Sequence, residues 1–305
     1  MSQKIITVIM ILLVAGALLY VVKSGVIGNS IHALENAIPT STVSNNGSSA
    51  TISQNNDNYN YSGGGTNNTN QTSTTTINPA DIPTGFTANQ LSPYFHEVHI
   101  GGASYGGYGY YGQITLNAYN IPASNTVDIT GWELKSKDGG EYIPQAINLY
   151  DPSGLAAPTD IDLHQNNVVY LYSSHGAFNL RLNECIGYIA KNNVFTPQLP
   201  SNCPYEQDPA ISNFTGACQN YVSSINGSCN GANLNNPNVP FNDYACRDYL
   251  ENHFNYDSCF DAHKNDADFL SNQIWVWTGS NILDQYHDQL QLLDRNGLVV
   301  DVYSY

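Results

Sequence analysis

The chain has 305 residues, with 25 acidic side chains against nine basic ones and a formal net charge of −16 at pH 7. All 25 acids follow Lys23, where only seven basic residues accompany them. A field of that sign repels phosphate backbones, which are bound through clustered Lys and Arg, so nucleic acid is not an expected partner.

From Ile5 to Val22 the chain carries no charge, and Lys4 and Lys23 flank the run. Such a length of apolar sequence is about enough to cross a bilayer core as one helix. No small-x-small cleavage site follows closely: Ala15 to Leu19 lies inside the run, and Ala33 and Ala37 lie well beyond Lys23. Residues 1–23 are therefore expected to be an uncleaved transmembrane signal anchor. One lysine on each side barely orients it; the larger downstream chain and its cysteines must do so.

Residues 24–88 are rich in Asn, Ser, Thr and Gly, most purely over "PTSTVSNNGSSATISQNNDNYNYSGGGTNNTNQTSTTTINP" (39–79). Without large aliphatic residues this stretch cannot offset its chain entropy by burial, and it reads as a disordered tether. Its root-mean-square span is roughly 35 Å, enough to hold a domain clear of a membrane. Asn46, Asn60, Asn67, Asn70, Asn213 and Asn226 fit the N-x-S/T glycosylation pattern, which chance also produces in so Asn-rich a chain.

Beyond the tether come short alternating runs: "YFHEVHI" (94–100), "QITLNAY" (113–119), "VDITGWEL" (127–134), "NVVYLYSS" (167–174), "FNLRLN" (178–183), "QIWVWTG" (273–279), "DQLQLLD" (288–294) and "LVVDVYSY" (298–305). Each has strand length, β-branched and aromatic enrichment, and turn residues at its ends, which predicts an all-β sandwich over residues 89–305. Ile114, Leu116 and Ala118 share one face, as do Leu290 with Leu292, and Leu298 with Val300 and Val302. "DRNG" (294–297) predicts a hairpin, with Gly297 at positive φ.

Between residues 184 and 269 the alternation stops, and all six cysteines fall there: Cys185, Cys203, Cys218, Cys229, Cys246 and Cys259. "ACQNYVSSINGSC" (217–229) is echoed by "ACRDYLENHFNYDSC" (245–259), and Asp243 is placed to cap a short helix in the second copy. The interval reads as a partly helical insertion. An even cysteine count behind a membrane-targeting segment, with no C-x-x-C anywhere, favours disulfides in an oxidising compartment over a zinc site or free thiols. Fifteen pairings are open; the echo favours Cys218 with Cys229 and Cys246 with Cys259, leaving Cys185 with Cys203. Oxidised cysteines would put the C-terminal domain outside the cell.

"DITGWELKSKDGGEYIPQA" and "DQLQLLDRNGLVVDVYSY" resemble the start and finish of a lamin tail domain. The matching positions are Ile129, Gly131, Trp132 and Leu134, then Leu290, Leu292, Asp294, Gly297, Val300, Asp301 and Tyr305. The middle, "FNLRLNECIGYIA…FTPQLPSNCP", is similar to a bacterial cell-envelope branch of that family with a cysteine-containing insertion. The resemblance covers roughly residues 90–305. It implies an Ig-like β-sandwich without catalytic residues or cofactors, used for attachment or interaction. The chain lacks the coiled-coil rod of nuclear lamins, so filament assembly is not implied.

Chemistry is sparse. Gly102-Ala-Ser104-Tyr-Gly106 fits a nucleophile elbow formally, but the Gly- and Tyr-rich sequence after it leads into a strand rather than a helix, so a loop is expected. His96 and His99 of "HEVH" lack metal-ligand spacing. Asp160, Asp162, Asp266 and Asp268 form no dense calcium loop. Tyr105, Tyr108, Tyr110 and Tyr111, with Trp275 and Trp277, are the candidate interaction surface, because Tyr and Trp give large contact area at low entropic cost. One of the two tryptophans is expected to face the core.

The expected protein is a non-enzymatic, single-pass membrane protein with its C-terminal domain at the cell surface, binding a surface protein or polysaccharide or organising the envelope. The alternative is an extracytoplasmic hydrolase whose site lies in the insertion, built from His253, Asp257, Asp261 and His263.

Overall fold

A computed structural model describes residues 50–53, 74–107, 110–154 and 156–305. The expected anchor over residues 1–23 and most of the expected tether lie outside the described residues, as does Tyr108. Among the described residues no helix is long and apolar enough to cross a membrane.

The strands, in chain order, are β1 (Ala50–Ser53), β2 (Thr74–Ile77), β3 (His99–Ser104), β4 (Gln113–Asn117), β5 (Val127–Asp128), β6 (Glu133–Lys135) and β7 (Gly140–Tyr142). They continue as β8 (Asp162–Leu163), β9 (Val168–Tyr172), β10 (Leu180–Asn183), β11 (Leu270–Trp277), β12 (Gln289–Leu293) and β13 (Val299–Ser304). A five-stranded sheet has the order β10-β11-β9-β4-β3, and a four-stranded sheet the order β13-β12-β6-β7. The larger sheet is mixed: β9 and β11 run parallel, and its other neighbours are antiparallel.

Two expected strands differ from this. "YFHEVHI" pairs only from His99, because residues 93–97 turn, with His96 in the left-handed region at φ 68°. "VDITGWEL" is broken into β5 and β6 by a turn at Thr130–Trp132, where Thr130 N donates to Asp128 Oδ1 and Trp132 N to Ile129 O. The C-terminal hairpin forms as expected. Asp294, buried between β12 and β13, accepts from the backbone N of Asn296 and of Leu298, and Gly297 takes φ 75°.

Period-2 alternation gathers residues of both sheets into one buried core. Ile114 and Leu116 of β4, Val169 and Leu171 of β9, and Ile274 and Val276 of β11 are buried in one cluster with Leu134 of β6, Leu290 and Leu292 of β12, and Val300 of β13. Trp132, 1% exposed, fills it beside β6. Ordered packing begins within the stretch assigned to the tether. Ile77, Leu91 and Phe95 bury against Leu293 and Val299, and Ser92 Oγ donates to Asp294 Oδ2 at 2.8 Å.

The insertion is covalently organised, but not in the pairing favoured by the echo. The bonds are Cys185–Cys259, Cys203–Cys229 and Cys218–Cys246. The reason is helical geometry. Cys218 lies near the start of α1 (Gly216–Ile225) and Cys246 near the start of α2 (Tyr244–His253). A helix rises about 1.5 Å per residue, so the remaining seven residues of either helix carry the chain roughly 10 Å away from its first cysteine. Bonded cysteines keep their Cα atoms near 6 Å. Equivalent cysteines of the two copies therefore bond each other, with Cα atoms 6.1 Å apart. The N-caps meet as well: Asp243 Oδ1 accepts from Cys246 N, and Thr215 Oγ1 donates to Asp243 Oδ2 at 2.8 Å. The second cysteines, Cys229 and Cys259, reach back to Cys203 and Cys185 at the stem.

A third helix, α3 (Tyr256–His263), carries Cys259 onto the larger sheet. There the insertion buries Ile186, Ile189, Phe195, Leu199, Phe260 and Phe269 against Leu180 and Leu182 of β10, Tyr172 of β9 and Trp277 of β11. The outer face of the sheet is thus covered along its β10–β11 side.

Peptide mapping without reduction is expected to recover the three linked pairs named above; a peptide joining Cys218 to Cys229 would overturn the arrangement. Cys185–Cys259 spans 74 residues. Its removal by paired Ser substitutions is expected to lower unfolding stability by on the order of 4 kcal/mol in a denaturant titration.

Candidate functional site

The outward face of the five-stranded sheet follows from strand register. Leu180, Trp275, Tyr170, Thr115 and Gly102 form one row across β10, β11, β9, β4 and β3; Trp277, Tyr172, Gln113 and Ser104 form the next. Trp275 and Trp277 are two residues apart, so both rings leave β11 on the same side. One of the pair, Trp277, is buried in the hydrophobic cluster under the insertion, as expected, and Trp275 packs at its edge.

The two tryptophans nonetheless differ in role. Trp277 is 8% exposed. Its ring is covered by Gly176, where a Cβ would collide with it, and by Phe195 at 5.1 Å, and its Nε1 donates to Thr196 O at 2.7 Å. With every polar and apolar group occupied, Trp277 seats the insertion and is not an interaction residue. Trp275 stays half-buried, its ring edge-on to Tyr170 at 6.3 Å and to Tyr172 at 5.2 Å, with its Nε1 held by Gln273 Oε1 at 3.2 Å.

The insertion covers the β10–β11 side and leaves the β9–β4 side open. Tyr170, Gln113, Thr115 and Asn117 are all partly exposed there, beside Trp275 and Gln273. None of these six carries a charge. Asn117 lies across Gly101, whose missing side chain makes room for it. The result is an uncharged patch of two aromatic rings, set edge-on to one another, among amides and a hydroxyl.

The loop between β3 and β4 stands at one end of this patch. Asn281 Nδ2 donates to Tyr105 O, and Gly112 N donates to Ser173 Oγ at 2.6 Å, so both ends of the loop are fixed. Tyr111 packs edge-on against Tyr172 at 5.4 Å and anchors the loop to the sheet. Burial raises the Tyr172 hydroxyl well above the ordinary tyrosine pKa. Tyr110 is 80% exposed and Tyr105 37%, leaving two rings free beside the anchor. Ser104, the formal elbow serine, ends a strand and enters this loop, so it has no helix behind it.

A groove of about 210 Å³ opens elsewhere, lined by Asn148, Thr159, Asp160, Asp162, His164 and Arg181 among others. Burial lowers the Arg181 pKa, and its Nε donates to Ser271 O at 2.6 Å. Burial raises Asp162, helped by the neighbouring Asp128 and Asp160.

Three residues of the alternative catalytic set have partners outside it. His253 stacks on Tyr249 at 4.0 Å and faces Asp208, Asp261 pairs with Lys264, and His263 pairs with Asp266. One cysteine-containing metal cluster, Cys218, Cys246 and Asp243, is already used by a disulfide and a helix cap. Asn226 is occupied too: its amide donates to Glu206 O and accepts from Glu206 N.

The residues that sequence reading missed are Tyr170, Gln113, Thr115 and Asn117. Their signal was the polar and aromatic side of strands whose other side is aliphatic, but only register shows that they adjoin Trp275. No family model, curated protein or solved structure matches the chain.

His96 and His99 flank the start of β3 with their rings 5.4 Å apart. Hydrogen bonding to Asp301 raises the His99 pKa, whereas burial lowers that of His96. The protonated His99–Asp301 pair therefore adds stability that is fully present below the unfolded imidazole pKa of about 6.5 and is lost as pH rises through the raised folded value. His96 works in the opposite sense, costing stability as pH falls. Histidine NMR titration is expected to place His99 above the ordinary value and His96 below it, with Asp301→Asn bringing His99 down; the reverse order would refute this assignment.

Proposed function

We propose that this chain is a non-catalytic, membrane-anchored surface protein that attaches to a neutral polysaccharide. The observation that carries the reading is the uncharged patch of Trp275 and Tyr170 among Gln113, Thr115, Asn117 and Gln273, with Tyr105 and Tyr110 standing over one end.

Aromatic rings supply broad, rigid, amphipathic contact at little entropic cost, and the amides and hydroxyl around them supply hydrogen bonds. Sugar rings offer the matching chemistry, with apolar C–H faces and a rim of hydroxyls. Charge narrows the choice. A net charge of −16 opposes binding to acidic polymers, while an uncharged patch carries no such penalty towards a neutral one.

The two packed sheets form, in this reading, the Ig-like sandwich of a lamin tail domain, with the cysteine-rich segment inserted between β10 and β11. Residues 1–23 anchor the chain in a membrane, and the low-complexity stretch holds the domain away from it. Three disulfides accord with an oxidising compartment, which puts the domain outside the membrane. No enzymatic role is assigned, because attachment requires none.

Full-length protein in detergent is expected to co-sediment with insoluble neutral polysaccharides of the host envelope. Trp275→Ala and Tyr170→Ala should each weaken retention at least tenfold, about 1.4 kcal/mol or more. Tyr244→Ala, at an exposed tyrosine on the insertion, should leave it unchanged. Equal retention of all three variants, or binding only to a protein fraction, would sink the glycan reading.

A further inference from the structure

At the foot of the insertion, three potential ligands from two distant parts of the chain come together: Glu184, His263 and Asp266, whose donor atoms all lie within 4.8 Å of one another. We propose that they form a binding site for one divalent transition ion of the zinc type, a second clip between β10 and the end of α3.

Backbone geometry places all three. Glu184 directly follows β10 and precedes Cys185, and its N–H donates to Phe269 O at 3.1 Å. His263 lies four residues after Cys259, one turn along α3, so the Cys185–Cys259 bond that draws these segments together also brings His263 towards Glu184. Asp266 sits in the turn that leaves the helix: its N–H donates to His263 O at 2.8 Å, and its carbonyl accepts from Phe269 N at 3.1 Å. His263 Nδ1 and Asp266 Oδ2 are 2.8 Å apart. The backbone positions of all three residues are therefore held before any ion arrives, which reduces the ordering cost of binding one.

The local charge is unbalanced. Glu184 has the acids Asp266 and Asp268 as charged neighbours, with His263 the one basic side chain among them. Lys264, the nearest lysine in sequence, is turned to Asp261 at 2.7 Å and lies over the Phe260 ring. A cation between Glu184 and Asp266 would relieve that repulsion.

The donor set selects the ion. One imidazole nitrogen with two carboxylates suits zinc and its neighbours, which take three protein ligands and leave a fourth position for water at ligand distances of about 2.0–2.2 Å. Calcium needs roughly six to eight oxygens and is poorly served here. The six cysteines are all in disulfides and offer no competing thiolate.

The test is zinc titration of the oxidised full-length chain by isothermal calorimetry at pH 7.5, after chelator treatment and dialysis. One equivalent is expected, with a thermal midpoint raised by zinc but not by calcium. Glu184→Gln and Asp266→Asn should each weaken binding tenfold or more, while Asp261→Asn, a neighbouring acid outside the set, should not. Substoichiometric binding at pH 7.5, or equal binding by all three variants, would overturn the proposal. Because these residues lie away from Trp275 and Tyr170, polysaccharide retention by Glu184→Gln should match that of the unsubstituted chain, so failure of either idea leaves the other standing.

Discussion

The arrangement depends on burial of the inner face of the five-stranded sheet and of part of its outer face. Its inner face packs aliphatic residues of β4, β9 and β11 against the four-stranded sheet. Its outer face, over β10 and β11, packs an aromatic and aliphatic seat of Leu180, Leu182, Tyr172 and Trp277 against the insertion. Burying side chains of this size stabilises by about 1.5–3 kcal/mol each, so the seat is a large part of what keeps the insertion in place. Without it, the disulfide-bonded segment would have a covalent tie to β10 but no preferred orientation on the sheet.

Half-coverage of that outer face creates the candidate site. Where the insertion ends, the same face continues over β9 and β4 with Tyr170 and uncharged polar side chains, and the aromatic seat passes without a break from buried Trp277 and Tyr172 to half-exposed Trp275 and Tyr170. The buried rings pack directly against the exposed ones. Tyr111 extends the same continuity into the β3–β4 loop and leaves Tyr105 and Tyr110 outward.

The insertion has an internal logic of its own. Its two echoed pieces pair like with like through Cys218–Cys246 and through a hydrogen bond between their N-cap side chains. Their second cysteines tie the lobe to the stem and sheet. The proposed ion site at Glu184, His263 and Asp266 lies beside one of these ties, so covalent and coordinate clips would act at the same junction.

Sequence alone determined the strands whose alternation is uninterrupted, such as β4 and β12, because a period of two fixes which side chains face the core. It also determined the Asp294 hairpin, the Asp243 cap and the oxidised state expected of the cysteines, since each rests on local chemistry or composition. Tertiary structure alone decided the disulfide partners, because an intervening helix separates cysteines that are close in sequence and packing joins those that are not. It likewise decided that Trp277 is buried while Trp275 is not, and that Tyr170 and Thr115 adjoin Trp275. Those facts depend on register between strands about a hundred residues apart in the chain and on where the insertion stops covering the sheet, and no local pattern encodes either.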